Sequence, residues 1–149
     1  MTSRHLETLF CDDIRHELGG KLSFIGVYSG VLFVPTFPAT LARLCLSATI
    51  ITPVGEPLRT LTLRVLKNDK TLHEMHFSED QLVAASDFAE EMPDRQDHAG
   101  TYRFLMVFSP IQFDEPCALR VRAQTEDGEL YGLGLTVEEP PPSLEESSH

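Results

Sequence analysis

The densest group of polar side chains in the first half of the chain follows an apolar run and spans six residues. Its members are Asp12, Asp13, Arg15, His16 and Glu17. We expect structural roles for most of them, because Asp13 can cap a helical turn over 13–18 and Arg15 can pair with a nearby acid. The alternative is functional. On a loop held by a rigid scaffold, Asp12, Asp13, Arg15 and Glu17 would contact a partner or ligand.

Calcium binding is a second chemistry open to these carboxylates. Ca²⁺ takes roughly six to eight oxygen ligands, often from several loops. Asp114 and Glu115, or Asp127 and Glu129, would add oxygens if their loops met this cluster at one end of the molecule. No feature of the sequence indicates that those loops meet, so we predict no metal site. A cation-dependent binder or enzyme stays an alternative.

Sequence signatures of catalysis are missing. His73 and His76 follow a hairpin loop, which predicts a strand, and residues three apart in a strand face opposite sides. Binding of one zinc ion by both imidazole rings is therefore disfavoured. The chain has neither a Gly-x-Ser-x-Gly elbow nor a phosphate-cradling glycine loop before a helix. We predict no catalytic residue and no cofactor, and we interpret the protein as a non-enzyme.

The charge of the chain is unevenly distributed. Acids outnumber Lys plus Arg by 23 to 12, for a formal charge of -11. Residues 1–77 are nearly neutral, whereas residues 78–149 carry all of the acidic excess. The acidic surface candidates are Glu79, Asp80, Asp87, Glu90, Glu91, Asp94 and Asp97. We expect a solvated acidic surface, with a docking surface for a basic partner as the alternative.

Several classes of protein are disfavoured by composition. Without a basic excess, general nucleic-acid binding is not expected. No apolar run approaches the roughly 20 residues of a membrane helix. The N-terminus lacks the pattern of a secretory signal, which predicts a cytoplasmic protein without a membrane partner. Cys11, Cys45 and Cys117 are an odd, scattered set, so we expect reduced and buried thiols.

Alternation of apolar and polar residues predicts the elements that position these groups. It recurs in Leu44–Ile50, Leu61–Val65, Leu119–Ala123 and Leu133–Val137, whereas Phe104–Phe108 is apolar on both faces and predicts a central strand. Seven to nine such strands predict an all-β fold, an antiparallel Greek-key sandwich of immunoglobulin-like or C2-like shape. We expect one domain over 1–138 and a disordered, acidic, Pro-rich tail over 139–149.

Turn and cap signals connect the predicted strands. Tyr28-Ser29-Gly30-Val31 predicts a hairpin joining 21–28 to 31–34, and Asp127-Gly128 predicts one joining 119–124 to 130–137. A third hairpin is expected at 67–70. Ser78 and Gln81 form a capping box that predicts a short helix over 79–91, stopped by Pro93. The alternative there is an irregular loop through Gly100.

The residues from Leu9 to Tyr28 also carry a recognisable pattern. They read as an apolar strand, then Asp12-Asp13-Ile14-Arg15, Gly20-Lys21 and Gly26-Val27-Tyr28. This pattern resembles a family of small bacterial proteins, some prophage-associated, known only as a domain of unknown function. The resemblance extends over most of 5–137, including Phe113-Asp114-Glu115-Pro116. It implies one soluble domain and carries no activity, substrate or catalytic residue.

These observations favour a non-enzymatic interaction module. The loops and exposed edge strands of a sandwich bind partners, so we expect either another protein or a second copy of the chain joined through an edge strand. Two alternatives remain open: an acidic decoy that occupies the basic surface of a nucleic-acid-binding protein, and the cation-dependent binder or enzyme described above.

Overall fold

The computed structural model describes residues 4–87 and 99–142. Strands account for most of them, with one helix among the described residues. In chain order the elements are β1 (His5–His16), β2 (Leu22–Val27), β3 (Val31–Phe33), β4 (Ala39–Leu41), β5 (Leu44–Pro53), β6 (Leu61–Lys67), β7 (Lys70–Phe77), α1 (Glu79–Ala85), β8 (Ser86–Asp87), β9 (Ala99–Phe108), β10 (Ile111–Phe113), β11 (Cys117–Thr125), β12 (Gly128–Tyr131) and β13 (Leu135–Glu138).

Two sheets pack face to face. The front sheet has the order β2-β1-β5-β9-β8, and the back sheet has the order β3-β13-β11-β6-β7, with β12 also paired to β11. Strands β4 and β10 form a separate small ladder. The predicted all-β sandwich is confirmed. It has more strands than the seven to nine expected, because several are segments of two to four residues.

The core lies between the sheets and follows the predicted alternation. Along β5, Leu44, Leu46, Ala48 and Ile50 are fully buried. They share one hydrophobic cluster with the alternate residues of β6 and β11, namely Leu61, Leu63, Val65, Leu119, Val121 and Ala123. A fully buried Val or Leu side chain contributes about 1.5–3 kcal/mol relative to exposure, so these three strands supply much of the stability.

The hairpin predicted at Tyr28–Val31 is wrong. The chain crosses between sheets there, because β2 pairs with β1 in the front sheet whereas β3 pairs in parallel with β13 in the back sheet. Gly30 takes a φ of 93° at the crossing, and its carbonyl accepts the N–H of Thr136 at 2.9 Å. Crossing allows Leu32 and Val34 to be buried in the core.

The helical turn predicted over 13–18 is also wrong. Strand β1 continues to His16, which pairs with Leu22 of β2. The hairpin closes through a hydrogen bond from the N–H of Glu17 to the carbonyl of Lys21, at 2.8 Å. The glycines at 19 and 20 take positive φ values in this turn. The same glycines that suggested a helix end therefore close a hairpin.

Helix α1 begins as predicted and ends earlier. The amide of Ser78 donates to Gln81 Oε1 at 2.8 Å, and the amide of Gln81 donates to Ser78 Oγ at 3.3 Å, which completes the capping box. The helix ends at Ala85 because the next two residues form β8 beside β9. The remainder of the predicted helix, from residue 88, lies outside the described residues.

The other two predicted hairpins are confirmed at β6–β7 and β11–β12. The strand expected over 130–137 is instead divided into β12 and β13 at Gly132–Gly134, and Leu133 is exposed rather than inward. A Cβ atom at Gly134 would lie 2.4 Å from the carbonyl oxygen of Leu119. Only glycine permits this close approach to β11.

A buried arginine ties three distant parts of the chain together at one end of the sandwich. The Arg4 side chain is 5% exposed and forms ion pairs with Glu126 at 2.9 Å and Asp127 at 3.1 Å. It also donates to Thr52 Oγ1 at 3.0 Å and to the carbonyl of Glu56 at 3.1 Å. The chain start, the β5–β6 loop and the β11–β12 turn therefore share one guanidinium.

We predict that Arg4→Ala lowers the free energy of unfolding by about 3 kcal/mol. Removing one member of a buried ion pair leaves the partner carboxylate desolvated without its counter-charge. Urea denaturation measures the change. Arg59→Ala is the control, because the exposed Arg59 enters this network through its main-chain N–H. Equal stability of Arg4→Ala and the wild type would contradict the role assigned to Arg4.

Glu126 gives this network a pH dependence. Burial on its own raises the pKa of Glu126, but hydrogen bonds from backbone N–H groups, including those of Arg59 and Thr60, and from Arg4 outweigh burial, and the pKa is lowered. A carboxyl with a lowered pKa stabilises the fold above its unfolded value, near 4.5, and this contribution is lost as pH falls through the folded-state value.

We therefore predict that Glu126→Gln is less stable than the wild type at pH 7 by about 1–3 kcal/mol. The deficit shrinks below the ordinary carboxyl pKa, because the wild type then loses its charge as well. Thermal unfolding across pH 3–7 measures both values. A deficit that stays constant down to the lowest pH would refute the linkage, and the exposed Glu7→Gln serves as the control.

Candidate functional site

The last six residues of β9 have a described strand on one side only, although helix α1, which directly precedes β8, also contacts β9. Strand β9 pairs with β5 over its whole length, but β8 covers only Thr101 and Tyr102 on the other side. No strand among the described residues pairs with the free side of 103–108. Main-chain groups of alternate residues point to each side of a strand, so about half of these residues direct N–H and C=O outward.

Strand β9 has described strands on both sides only at Thr101 and Tyr102, so the central strand predicted at Phe104–Phe108 has a described neighbour on one side only. Both faces of this segment are apolar because each packs against a different cluster. Phe104 lies 4.5 Å from Phe77 between ring centroids, on the core side. Leu105 packs on the opposite side, against a smaller cluster on the outer face of the front sheet.

That smaller cluster gives the front sheet a second apolar face. Cys11, Ile14 and Cys45 are buried in it, and Leu9, Leu22, Phe24 and Leu105 are partly buried around them. One cross-strand row passes through it, which we call the outer row: Val27, Cys11, Cys45 and Val107 occupy paired positions on β2, β1, β5 and β9. Both end residues are half exposed, Val27 by 50% and Val107 by 48%.

The cysteines of the outer row are packing residues. Cys11 and Cys45 are fully buried, and Cys117 is buried elsewhere, so the prediction of reduced, buried thiols is confirmed. Burial, followed by the neighbouring Cys45, raises the pKa of Cys11 to about 11. Burial also raises the pKa of Cys117. The thiolate is the reactive form, so Cys11 and Cys117 are poor nucleophiles in the folded protein.

We predict that the folded protein resists thiol alkylation. Iodoacetamide at pH 7.5 should modify all three cysteines in urea within minutes, and the native protein at least tenfold more slowly, because reaction requires opening of the fold. Intact mass spectrometry counts the adducts. A single cysteine introduced at exposed Ser29 provides the reactive control. Equal rates with and without urea would show that the thiols are accessible.

The four partner-contact candidates near the end of β1 engage in local pairs. Asp12 accepts a hydrogen bond from the Tyr28 hydroxyl, and Asp13 lies 3.1 Å from Arg43. Arg15 lies 3.7 Å from Glu17 at the β1–β2 turn. Burial, together with the Asp12 carboxylate, raises the pKa of Tyr28 to about 12. The structure therefore places these residues in one region and gives each a neighbour.

The carboxylates considered for calcium lie in separate places. Asp114 accepts a hydrogen bond from Gln112 and lines an open cleft of about 600 Å³ beside the β6–β7 turn. Glu115 lines the same cleft. Asp127 pairs with Arg4, and Glu129 lies 3.9 Å from Arg122. No group of three potential ligands suited to a metal ion occurs among residues 4–87 and 99–142.

Only some of the acidic surface candidates lie within the described residues. Glu79 and Asp80 are exposed in the first turn of α1, and the backbone of Asp87 pairs with Thr101. The candidates Glu90, Glu91, Asp94 and Asp97 lie outside the described residues.

The two histidines considered as zinc ligands, His73 and His76, lie on strand β7, as predicted. His76 lies 3.0 Å from Thr62 Oγ1, whereas the ring of His73 meets Phe108 edge-on. Their contacts are on different faces of the strand, so the two rings are not arranged around one ion.

Within the part of the chain that the structure describes, no helix has the length and apolar character needed to cross a bilayer.

Comparison with known proteins identifies a family. A crystal structure with a similar shape is the CARDB domain of the PF1109 protein from Pyrococcus furiosus, in complex with di-metal ions. It has 8% sequence identity and a TM-score of 0.42, with 93% of this chain and 96% of that chain covered. No curated protein matches the sequence. The model of a family of unknown function, DUF6941, matches residues 7–138, and the chain belongs to that family.

Proposed function

We propose that the protein is a non-enzymatic binding module that takes up a partner protein along the free edge of β9 and the adjoining outer face of the front sheet. The observation that carries this proposal is the coincidence of two features at one place. Residues 103–108 have no described strand on one side, and Leu105 and Val107 present apolar side chains beside that edge.

An open edge and an apolar neighbour provide complementary contributions to binding. An extended segment that joins a sheet edge forms main-chain hydrogen bonds, and alternate side-chain contacts decide which segment fits. Here Leu105 and Val107 supply those contacts on the outer face. Exposed apolar groups that cluster at one place mark interaction surfaces in soluble proteins, whereas isolated ones do not.

Three other edge strands, β7, β2 and β3, carry features that oppose such pairing. Strand β7 presents Lys70, Glu74 and His76, and charged groups on an edge oppose addition of a further strand. Strand β2 contains Gly26 in a left-handed conformation, at a φ of 70°. Strand β3 has three residues, and Pro35 follows soon after it. The free part of β9 has one charged residue, Arg103, and no proline.

A site-specific cross-link tests the proposal. We predict that a photoreactive amino acid in place of Val107 forms a defined protein adduct in the cells that naturally make the chain. The same group in place of Val54, which is 52% exposed in the β5–β6 loop, is the control and should form none. Equal adduct patterns from the two positions, or none from either, would overturn the proposal.

A further inference from the structure

We infer that the occupant of the β9 edge is a second copy of this chain, whose β9 pairs antiparallel with the first about a two-fold axis at Met106. This inference rests on the proposed function and names its partner. The two front sheets would then join edge to edge as one continuous sheet. The facing of the side chains, the charge and the length of the free segment all favour this pairing.

Side-chain facing selects the register. Directly opposed residues in antiparallel strands share a face. An axis at Met106 places Leu105 opposite Val107 of the second copy on the outer face, and Phe104 opposite Phe108 on the core side. An axis at Leu105 places Arg103 opposite Val107 instead. The Met106 register joins apolar groups to apolar groups, so it is the favoured one.

Charge selects the strand direction. Arg103 is the one charged residue between 103 and 108, and it lies at the start of that segment. In the antiparallel register the two Arg103 residues lie about 20 Å apart along the strands, beyond the Debye length of about 8 Å at physiological salt. Parallel in-register pairing would set them about 5 Å apart, where like charges repel.

The length of the free segment matches the length that a second copy offers. Strand β8 occupies the edge at Thr101 and Tyr102, so pairing starts at Arg103. In the Met106 register, Arg103 faces Ser109 of the second copy. The next residue, Pro110, has no N–H to extend the ladder. The partner strand therefore ends where β8 begins.

Pairing also extends the outer row across the junction. Leu105 and Val107 of both copies form one apolar group of four side chains, next to Cys45 of each copy. Net charge acts in the opposite direction, because each copy carries a formal charge of -11. Added salt screens this repulsion, so the dimer should tighten as ionic strength rises. A complex with a basic partner would weaken instead.

Sedimentation equilibrium with two matched variants tests the inference. The wild type should be a monomer–dimer mixture, Val107→Lys should weaken the dimer at least tenfold, and Val27→Lys should leave it unchanged. The two valines have nearly the same exposure and occupy the two ends of the outer row, on β2 and β9. Circular dichroism of each variant verifies folding, and Val107→Thr, which keeps the branched shape, should weaken the dimer less.

A disulfide trap tests the register. Chains with Leu105→Cys, mixed with chains with Val107→Cys, should give a cross-linked pair under mild oxidation, whereas neither variant alone should cross-link efficiently. All trap variants also carry Cys45→Ala, because Cys45 lies directly opposite position 107 on β5 and would compete for the new cysteine.

Three results would overturn the inference. A wild type that stays monomeric at the highest soluble concentration and at high salt rejects the second copy, while an adduct to a different protein at residue 107 would still support the proposed function. A dimer weakened equally by Val27→Lys and Val107→Lys indicates stacking of outer faces instead of edge pairing. Efficient cross-linking of Leu105→Cys with itself places the axis at Leu105.

Discussion

Strand β5 is buried on both faces, and the rest of the molecule is organised around that constraint. Every residue from Leu44 to Ile50 is buried, although alternate side chains point to opposite sides of the sheet. One side faces the back sheet. The side chains on the outer face of β5 are buried by side chains of β1, β2 and β9 that surround Cys11 and Cys45. A sheet with one solvated face would not need this second cluster. The half-exposed valines of the outer row lie at the two margins of this second cluster.

Much of this fold was predictable because its causes are local. Alternation along Leu61–Val65 and Leu119–Ala123 follows from burial of one face, and the Ser78–Gln81 cap depends on side chains three residues apart. The failures arose where distant pairing decides the outcome. Gly30 signals a turn, but burial of Leu32 and Val34 against the back sheet determines that the turn leads to the other sheet. Gly19 and Gly20 suit a helix end and a hairpin equally, and the pairing of His16 with Leu22 selects the hairpin.

The interaction surface was less accessible to sequence reasoning. An apolar run such as Phe104–Phe108 has the same pattern whether a strand is central or forms an edge with a second cluster on its outer face. Register is what joins Val27, Cys11, Cys45 and Val107, which are far apart in the chain. A usable signal was present in the odd positions Leu9 and Cys11, which are apolar on the side expected to be polar. The polar group at Asp12–Glu17 is dense in the sequence, yet its side chains pair with neighbours such as Tyr28 and Arg43.

The contacts of Arg4 also bear on the order in which the native contacts can form during folding. The carboxylate partners of Arg4 follow about 120 residues later in the chain. Strand β1 pairs with β5 on its other side from β2, so that pairing forms only after β5 has been synthesised. During synthesis Arg4 and β1 therefore emerge long before the turn that carries the carboxylate partners of Arg4. Sheets dominated by such distant pairings fold slowly, on a scale of milliseconds to seconds, because loop closure comes before the contacts that compensate for it. Until β6 and β11 are in place, the core-side apolar residues of β1 and β5 lack the back sheet that covers them in the folded protein.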